Sequence, residues 1–348
     1  MKRVDAIIVG QGLAGTLLSY FLIAEKKKVL VIDFPDEKAA SMHSSGIINP
    51  ITGKRFVKSW MIDDLLPFAY QSYTALGLLL GKELVFEQQV KRILHSIEEI
   101  NNLSIEANTA DYLPYLIQAN VKHLDQQKFN NPFGYCEIEK SFRVDIKTML
   151  ATFRYYLKER NLLLEETFEY TKLEIGASIY KNWCFEKLIF CEGYKGMENP
   201  FFNHLPLKPN KGQYLVLDNR QLDIDSTITG AGVISPLDEQ NVYAGATYEW
   251  QFENDLPTIV GFEILKSNIN SLVKIPYNIL EHKAGIRPTS PDRRPLLGVH
   301  KAYKNLAILN GFGAKGTSLG PYFAKQLIDH LWHKKALNDD VNIARFMP

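Results

Sequence analysis

Six residues near the start of the chain, Gly10-Gln11-Gly12-Leu13-Ala14-Gly15, limit the folds open to it more than any other feature. They follow a mostly apolar run, residues 4–9 (VDAIIV), and lead into a helical pattern over Leu13–Ala24 with Leu17, Leu18, Phe21 and Leu22 as core positions. A second apolar run, Val29–Ile32, ends at Asp33. Gly10 permits the tight turn, Gly12 lets backbone approach a diphosphate without an intervening side chain, and Gly15 lets the helix pack close to the strand. Leu13 and Ala14 open the helix, whose free N–H groups suit an anion. Lys26, Lys27 and Lys28 are expected to close that helix, where positive charge suits the dipole. Asp33 falls 18 residues after Gly15, where its carboxylate can accept hydrogen bonds from a ribose. Strand, helix, second strand and terminal acid together predict a dinucleotide-binding unit.

The 348 residues allow one large domain or two intimate ones. The net charge of +1 gives no global electrostatic attraction for nucleic acid. Cys136, Cys184 and Cys191 form no C-x-x-C pair, so neither a disulfide framework nor a metal site is expected, and a reducing cytoplasm fits best. His330 and His333 stand three apart with no third ligand suggested. No uninterrupted run of about 20 apolar residues predicts a membrane span.

An NAD domain usually continues as alternating strands and helices, and this chain does not. After Asp33 comes a small-residue loop, Ser41-Met42-His43-Ser44-Ser45-Gly46-Ile47-Ile48-Asn49-Pro50, then a long mixed segment to about residue 134. The pattern resumes with a helix over 144–160, Asp145 its N-cap, and a buried strand at 187–193 that ends in Gly193. Residues 306–309 read as a further strand, which Gly311-Phe312-Gly313-Ala314-Lys315-Gly316-Thr317-Ser318 turns into a helix running to about Trp332.

Five stretches now stand in order: GQGLAG at 10–15, SSGIINP at 44–50, CEG at 191–193, AGIRPTSPDRRPLLG at 284–298 and GFGAKGTSLGP at 311–321. With them the chain resembles the D-amino acid oxidase superfamily of FAD-dependent oxidoreductases. That superfamily includes glycine oxidase, sarcosine oxidase and the FAD domain of a bacterial enzyme modifying tRNA wobble uridine. The resemblance implies an α/β fold: a Rossmann-like FAD domain from residues 1–74, 135–205 and 280–348, and a mixed-sheet α+β substrate domain from 75–134 and 206–279. It also implies FAD held without a covalent bond, since no cysteine follows Cys191.

By the same resemblance, Ser44, Ser45 and Gly46 run along the flavin. Gly313, Lys315, Gly316 and Thr317 present a helix N-terminus and a cation to its pyrimidine ring. Arg287 binds a substrate carboxylate, for which a guanidinium offers a two-pronged fork; the alternative is a structural ion pair with Asp292. Tyr248, in a GAT-like strand, faces the substrate. Val233 stands where glycine oxidase carries a substrate-facing tyrosine, which points away from glycine itself. The expected reaction is oxidation of the C–N bond of a small amine or amino acid, with dioxygen or another acceptor closing the cycle. The alternatives are a tRNA-modifying enzyme acting on a carboxymethylaminomethyl nucleoside and a non-catalytic flavoprotein.

Overall fold

In the computed structural model, which describes residues 1–116 and 121–346, two large sheets share the chain. Residues 117–120 and 347–348, which fall within the expected segments 75–134 and 280–348, lie outside the described residues. The first sheet has eight strands. Its centre is five parallel strands in the order Leu163–Leu164, Val29–Ile32, Lys2–Val9, Trp183–Phe190 and Leu306–Asn310. A parallel sheet is covered on both faces, so its strands are apolar throughout rather than alternating. Val29–Ile32 and Leu306–Asn310 are buried along their whole length. Ala6 and Ile8 pack against the helices Leu13–Ala24, Ile62–Leu80, Ile146–Glu159 and Gly316–His333 on one side. Ile7 and Val9 join Phe168, Tyr180, Phe190 and Phe202 on the other.

The helix over Ile146–Glu159 begins where expected, and the Asp145 side chain accepts the Thr148 N–H at 3.0 Å. The first helix stops at Ala24, so Lys26 to Lys28 lie beyond its last turn, with Lys26 at φ +60°. Those lysines sit in the connection to the next strand rather than on the helix end. No local signal announces the helix Ile62–Leu80, which carries Pro67 inside it and no polar cap at Met61. It is held by packing instead, with Leu65, Ala69, Tyr73 and Leu76 buried.

The second sheet has seven strands, in the order Ile279–Thr289, Lys208–Asp218, Asn241–Gly245, Val233–Pro236, Thr227–Thr229, Val90–Ile93 and Tyr135–Ile138. All neighbours are antiparallel except Thr227–Thr229 beside Val90–Ile93. Alternation gives it two faces. Leu215, Leu217, Ile234, Val242 and Ala244 pack against Leu265, Ile269 and Leu272 of the helix Ile259–Leu272, and Tyr214 and Tyr243 face the other way. Two of its strands cross the domain limits expected from sequence: Tyr135–Ile138 and most of Ile279–Thr289 were assigned to the nucleotide-binding half. An apolar strand pattern identifies a strand but not the sheet that receives it.

At the first turn, a Cβ on Gly15 would lie 1.8 Å from the carbonyl oxygen of Gly10, so the helix touches the strand end through bare backbone. No side-chain rotation relieves that contact. Gly15→Ala is expected to lose about 3 kcal/mol or more, beyond the usual cost of overpacking a core. Urea unfolding followed by circular dichroism measures it, and a change below about 1 kcal/mol would contradict the packing described.

Candidate active site

A cleft of about 690 Å³ opens between the strand ends of the first sheet and the Tyr214 face of the second. The size suits a small molecule or cofactor. Gly10, Gly12, Leu13, Ala14 and Asp33 line one end, and Gly193 stands beside them. Ser44 and Ser45 line the middle, as do Gly313, Lys315, Gly316 and Thr317 from the turn before the last helix. Arg287 and Tyr248 line the far wall. Thus one cleft gathers nearly every residue expected from sequence. Gly15 and Gly46 lie outside it. Gly46, at φ +73°, is required by packing, since a Cβ there would fall 1.9 Å from the Val144 carbonyl oxygen.

The nucleotide end has the form that a diphosphate requires. Gly12 is the N-cap of the first helix and has no side chain to cap it, Ser41 Oγ accepts the Leu13 N–H at 3.0 Å, and the first turn holds no acidic residue. A Cβ on Gly12 would meet only Ser41 Oγ, at 3.3 Å, so the ground before it belongs to the cleft. Asp33 Oδ1 accepts the Gln11 N–H at 2.9 Å, and Oδ2 accepts from Arg154 Nη1 at 2.6 Å. Arg154 also reaches Gln11 Oε1 at 3.0 Å and Glu165 Oε1 at 2.8 Å. This arginine, from the helix Ile146–Glu159, was not foreseen, because nothing local ties residue 154 to residue 33. Each Asp33 oxygen keeps a further lone pair for a ribose hydroxyl.

At the flavin end, the last helix starts at Gly316 with no side-chain cap. The Tyr73 hydroxyl, fully buried, donates to the Thr317 carbonyl oxygen at 2.9 Å and ties the helix Ile62–Leu80 to this turn. Lys315 is exposed over its residue as a whole, but its ammonium is part-buried in the cleft and Nζ donates to Ser59 Oγ at 2.9 Å. Burial of its ammonium, then Arg294 and Arg293 nearby, push its pKa down. A helix N-terminus and an unpaired cation suit the negative charge that a reduced flavin ring carries.

Arg287 stands clear of acids. Its Nη1 donates to Asn210 Oδ1 at 2.9 Å and to the Thr247 carbonyl oxygen at 3.1 Å, and its guanidinium lies 4.7 Å from the Tyr248 ring centroid. Asp292, the alternative partner, pairs instead with Arg345 at 2.8 Å. Gly212 makes the seat: a Cβ there would fall 2.0 Å from Arg287 Nη2. Tyr248 is 64% exposed, so its ring covers the guanidinium from the solvent side. Val233 lines the cleft, and so do Tyr214, Tyr243, Thr227 and Thr229. His330 Nδ1 donates to the Lys335 carbonyl oxygen at 2.8 Å, and His333 contacts Glu25.

A nucleotide-binding parallel sheet, a second sheet bearing a free arginine and a shared cleft define a flavin-dependent oxidoreductase. Residues 5–330 match the family model described as FAD dependent oxidoreductase, and the chain belongs to that family. It is an enzyme and its cofactor is FAD. Glycerol 3-phosphate oxidase of Mycoplasma genitalium is 24% identical, with 98% of each chain covered. Glycine oxidase from Geobacillus kaustophilus superposes with a TM-score of 0.79 at 18% identity, over 99% of this chain and 98% of that one. Iminodiacetate oxidase from Chelativorans sp. BNC1 superposes with a TM-score of 0.74 at 19% identity, over 99% of each chain. Among the described residues, no helix is long and apolar enough to cross a membrane.

Two outcomes follow from this geometry. Gly12→Val should fold, since the protein leaves room for the side chain, yet purify without FAD, because the branched carbon occupies the diphosphate position. Normal flavin absorbance in the folded variant would remove Gly12 from the site. The second concerns Glu192, which lines the cleft and accepts from the Tyr170 hydroxyl and from Asn199 Nδ2 at 2.7 Å. Burial, against the opposing pull of those donors, raises its pKa from 4.5 to about 7. The folded state therefore holds this proton more tightly than the unfolded state. The associated stability is full below pH 4.5 and is lost as pH rises to about 7. Glu192→Gln should abolish that loss, so its melting temperature exceeds that of the parent by a few degrees at pH 8 and not at pH 4.5. Parallel melting curves would contradict the raised pKa.

Proposed function

We propose that the enzyme oxidises the C–N bond of a small amine that carries a carboxylate. One observation carries the reading: Arg287 lies in the cleft wall with no acidic partner among the described residues, and Nη2 and Nε remain for a carboxylate. A guanidinium in such a position holds a carboxylate by two parallel hydrogen bonds. Glycine and iminodiacetate, after which the two oxidases of similar fold are named, are both amines bearing carboxylates.

When bound, FAD supplies the two-electron acceptor. The chain's own part is to bind, orient and exclude water. Gly10, Gly12, Leu13 and Ala14 would receive the diphosphate, with Gly15 holding the helix against the strand behind them, and Asp33 would receive the ribose. Ser44, Ser45, Gly193 and Gly313 would bound the flavin, with Gly46 shaping the turn behind the serines, and Lys315, Gly316 and Thr317 would face its pyrimidine edge. Arg287 would fix the substrate carboxylate and Tyr248 would close over it. The first sheet thereby serves the cofactor and the second the substrate, with FAD held non-covalently and dioxygen or another acceptor completing the cycle.

A second reading is oxidation of a glycerophosphate. The full-length similarity to the Mycoplasma genitalium enzyme favours it, and the same fork accepts a phosphate as readily as a carboxylate. The nucleoside reading gains nothing from these relatives, and the net charge of +1 gives RNA no broad attraction.

Anaerobic bleaching of the flavin tests the substrate class. The panel is glycine, sarcosine, iminodiacetate, proline, glycerol 3-phosphate and tRNA bearing a carboxymethylaminomethyl group. An N-substituted amino acid should bleach fastest, because Val233 offers no polar group to the smallest amine. Arg287→Leu should keep its FAD and lose at least tenfold in substrate affinity, about 2–5 kcal/mol for a buried charge-assisted pair. Reduction by glycerol 3-phosphate alone would transfer the assignment to the second reading. Unchanged kinetics in Arg287→Leu would take the arginine out of the site.

A further inference from the structure

Beside Arg287, the cleft holds a tyrosine and a histidine that neither the cofactor nor the carboxylate uses. His43 closes the short 3-10 turn Ala40–His43, and Tyr214 lies on the strand Lys208–Asp218. His43 Nδ1 is 3.2 Å from the Tyr214 hydroxyl, and His43 Nε2 is 2.7 Å from the Glu37 carbonyl oxygen. A carbonyl oxygen only accepts, so Nε2 carries the ring proton. Nδ1 of the neutral ring is then an acceptor, and Tyr214 donates to it. The hydrogen-bond network thus sets the tautomer and leaves one basic nitrogen aimed at the phenol.

Backbone glycines form the seat of this pair. A Cβ on Gly285 would lie 2.7 Å from His43 Cδ2, and a Cβ on Gly245 would lie 2.7 Å from Tyr214 Cβ. Tyr214 stacks on Tyr243 with ring centroids 4.7 Å apart, which fixes the phenol's direction. His43, Tyr214 and Tyr243 all line the cleft. Gly212, over which the Arg287 guanidinium lies, is two residues from Tyr214 on the same face, about 7 Å along the strand. An amine anchored by its carboxylate at Arg287 would extend along this face toward Tyr214.

We propose that Tyr214 and His43 form a proton relay that takes the proton of the substrate ammonium before its C–H bond is cleaved. The inference rests on the amine reading above. In the step, one N–H bond of the ammonium breaks and its proton passes to Tyr214 Oη, while the phenol's own proton passes to His43 Nδ1. The products are a neutral amine, an intact phenol and an imidazolium whose Nε2–H still donates to Glu37. Only protons move, and charge is conserved. The neutral amine then has the lone pair from which a C=N bond is made. Tyr214 touches the substrate and His43 acts through it, so Tyr214 is the catalytic residue of the two and His43 a positioning residue that holds the proton.

The surroundings suit the task. Burial is the main influence on His43 and keeps its pKa below the ordinary value, so the ring is neutral and receptive at neutral pH. The Glu37 carbonyl and Asp36 oppose that effect, while Lys283 on the strand Ile279–Thr289 and Lys147 on the helix Ile146–Glu159 reinforce it. Burial, together with Tyr243 and Glu281, pushes the Tyr214 phenol pKa up, so the phenol transmits a proton and does not lose one outright.

The test is stopped-flow reduction of the holoenzyme by an amine that bleaches the parent, from pH 6 to above the amine's own pKa. Tyr214→Phe and His43→Asn should each slow reduction about 100-fold at pH 7, the scale of general-base catalysis. Both should recover to within about twofold above the amine's pKa, where the substrate arrives already neutral. A merely structural role would not be rescued by pH. The second measurement is NMR of the 15N-labelled histidines in the parent and Tyr214→Phe. The His43 signals should show an Nε2–H tautomer with Nδ1 hydrogen-bonded in the parent, and loss of that bond in the variant. Equal rates at pH 7 in the parent and Tyr214→Phe would overturn the relay while leaving amine oxidation standing. So would a deficit that persists at high pH, or an Nδ1–H tautomer in the parent. If no amine reduces the parent, the amine reading falls and the relay with it.

Discussion

The carbonyl oxygen of Gly10 and the bare α-carbon of Gly15 meet at a distance that leaves no room for a methyl group, and much of the cleft is positioned from there. The contact sets the first helix hard against its strand, so Leu13 and Leu17 stand at a fixed height over the sheet. The last helix then rests on those two leucines. A Cβ on Gly316 would come within 2.9 Å of Leu13 Cδ2, and one on Gly320 within 2.7 Å of Leu17 Cδ1. Two helix N-termini, the proposed seats of the diphosphate and the flavin ring, thereby line the same cleft through a chain of close approaches that only glycine permits.

The second sheet works by a related device with a different object. Gly212, Gly245 and Gly285 do not bring backbone to backbone. They clear volume for Arg287, for Tyr214 and for His43. Functional side chains that might otherwise swing in an open pocket are packed flat against a strand floor. Arg287 is held further by Asn210 and by the Tyr248 ring. The substrate wall is thus rigid where it must orient a molecule and exposed only at Tyr248.

Local chemistry was legible in the sequence and long-range pairing was not. The turn at Gly10–Gly15 and the N-cap at Asp145 declare themselves within a dozen residues and formed where expected, whereas the strand expected over 187–193 spans Trp183–Phe190 and Gly193 opens the 3-10 turn that follows. The helix Ile62–Leu80 escaped notice because it has an internal proline and no polar cap, and its reason for existing is the groove it fills against the last helix. The strands Tyr135–Ile138 and Ile279–Thr289 carry no local signal for their sheet, and only hydrogen bonding in three dimensions assigns them to the second one. Arg154 reaches Asp33 across 121 positions, and no local signal could have paired them. Tyr214 and His43 are 171 apart and each looks ordinary alone.

The strand Ile279–Thr289 runs from one half of the molecule to the other. It pairs along its length with Lys208–Asp218, bridges to Ala39 through Ile286, and bridges to Phe312 through Thr289. Arg287, the proposed substrate anchor, is therefore carried on a strand bridged to both Ala39 and Phe312, which joins the two sheets along this line. A molecule bound at Arg287 would then enter past the side chains at the cleft mouth rather than by a jaw-like parting of halves. The exposed ring of Tyr248 would be the doorway, and its size would set which visitors are admitted more than the volume of the room behind it.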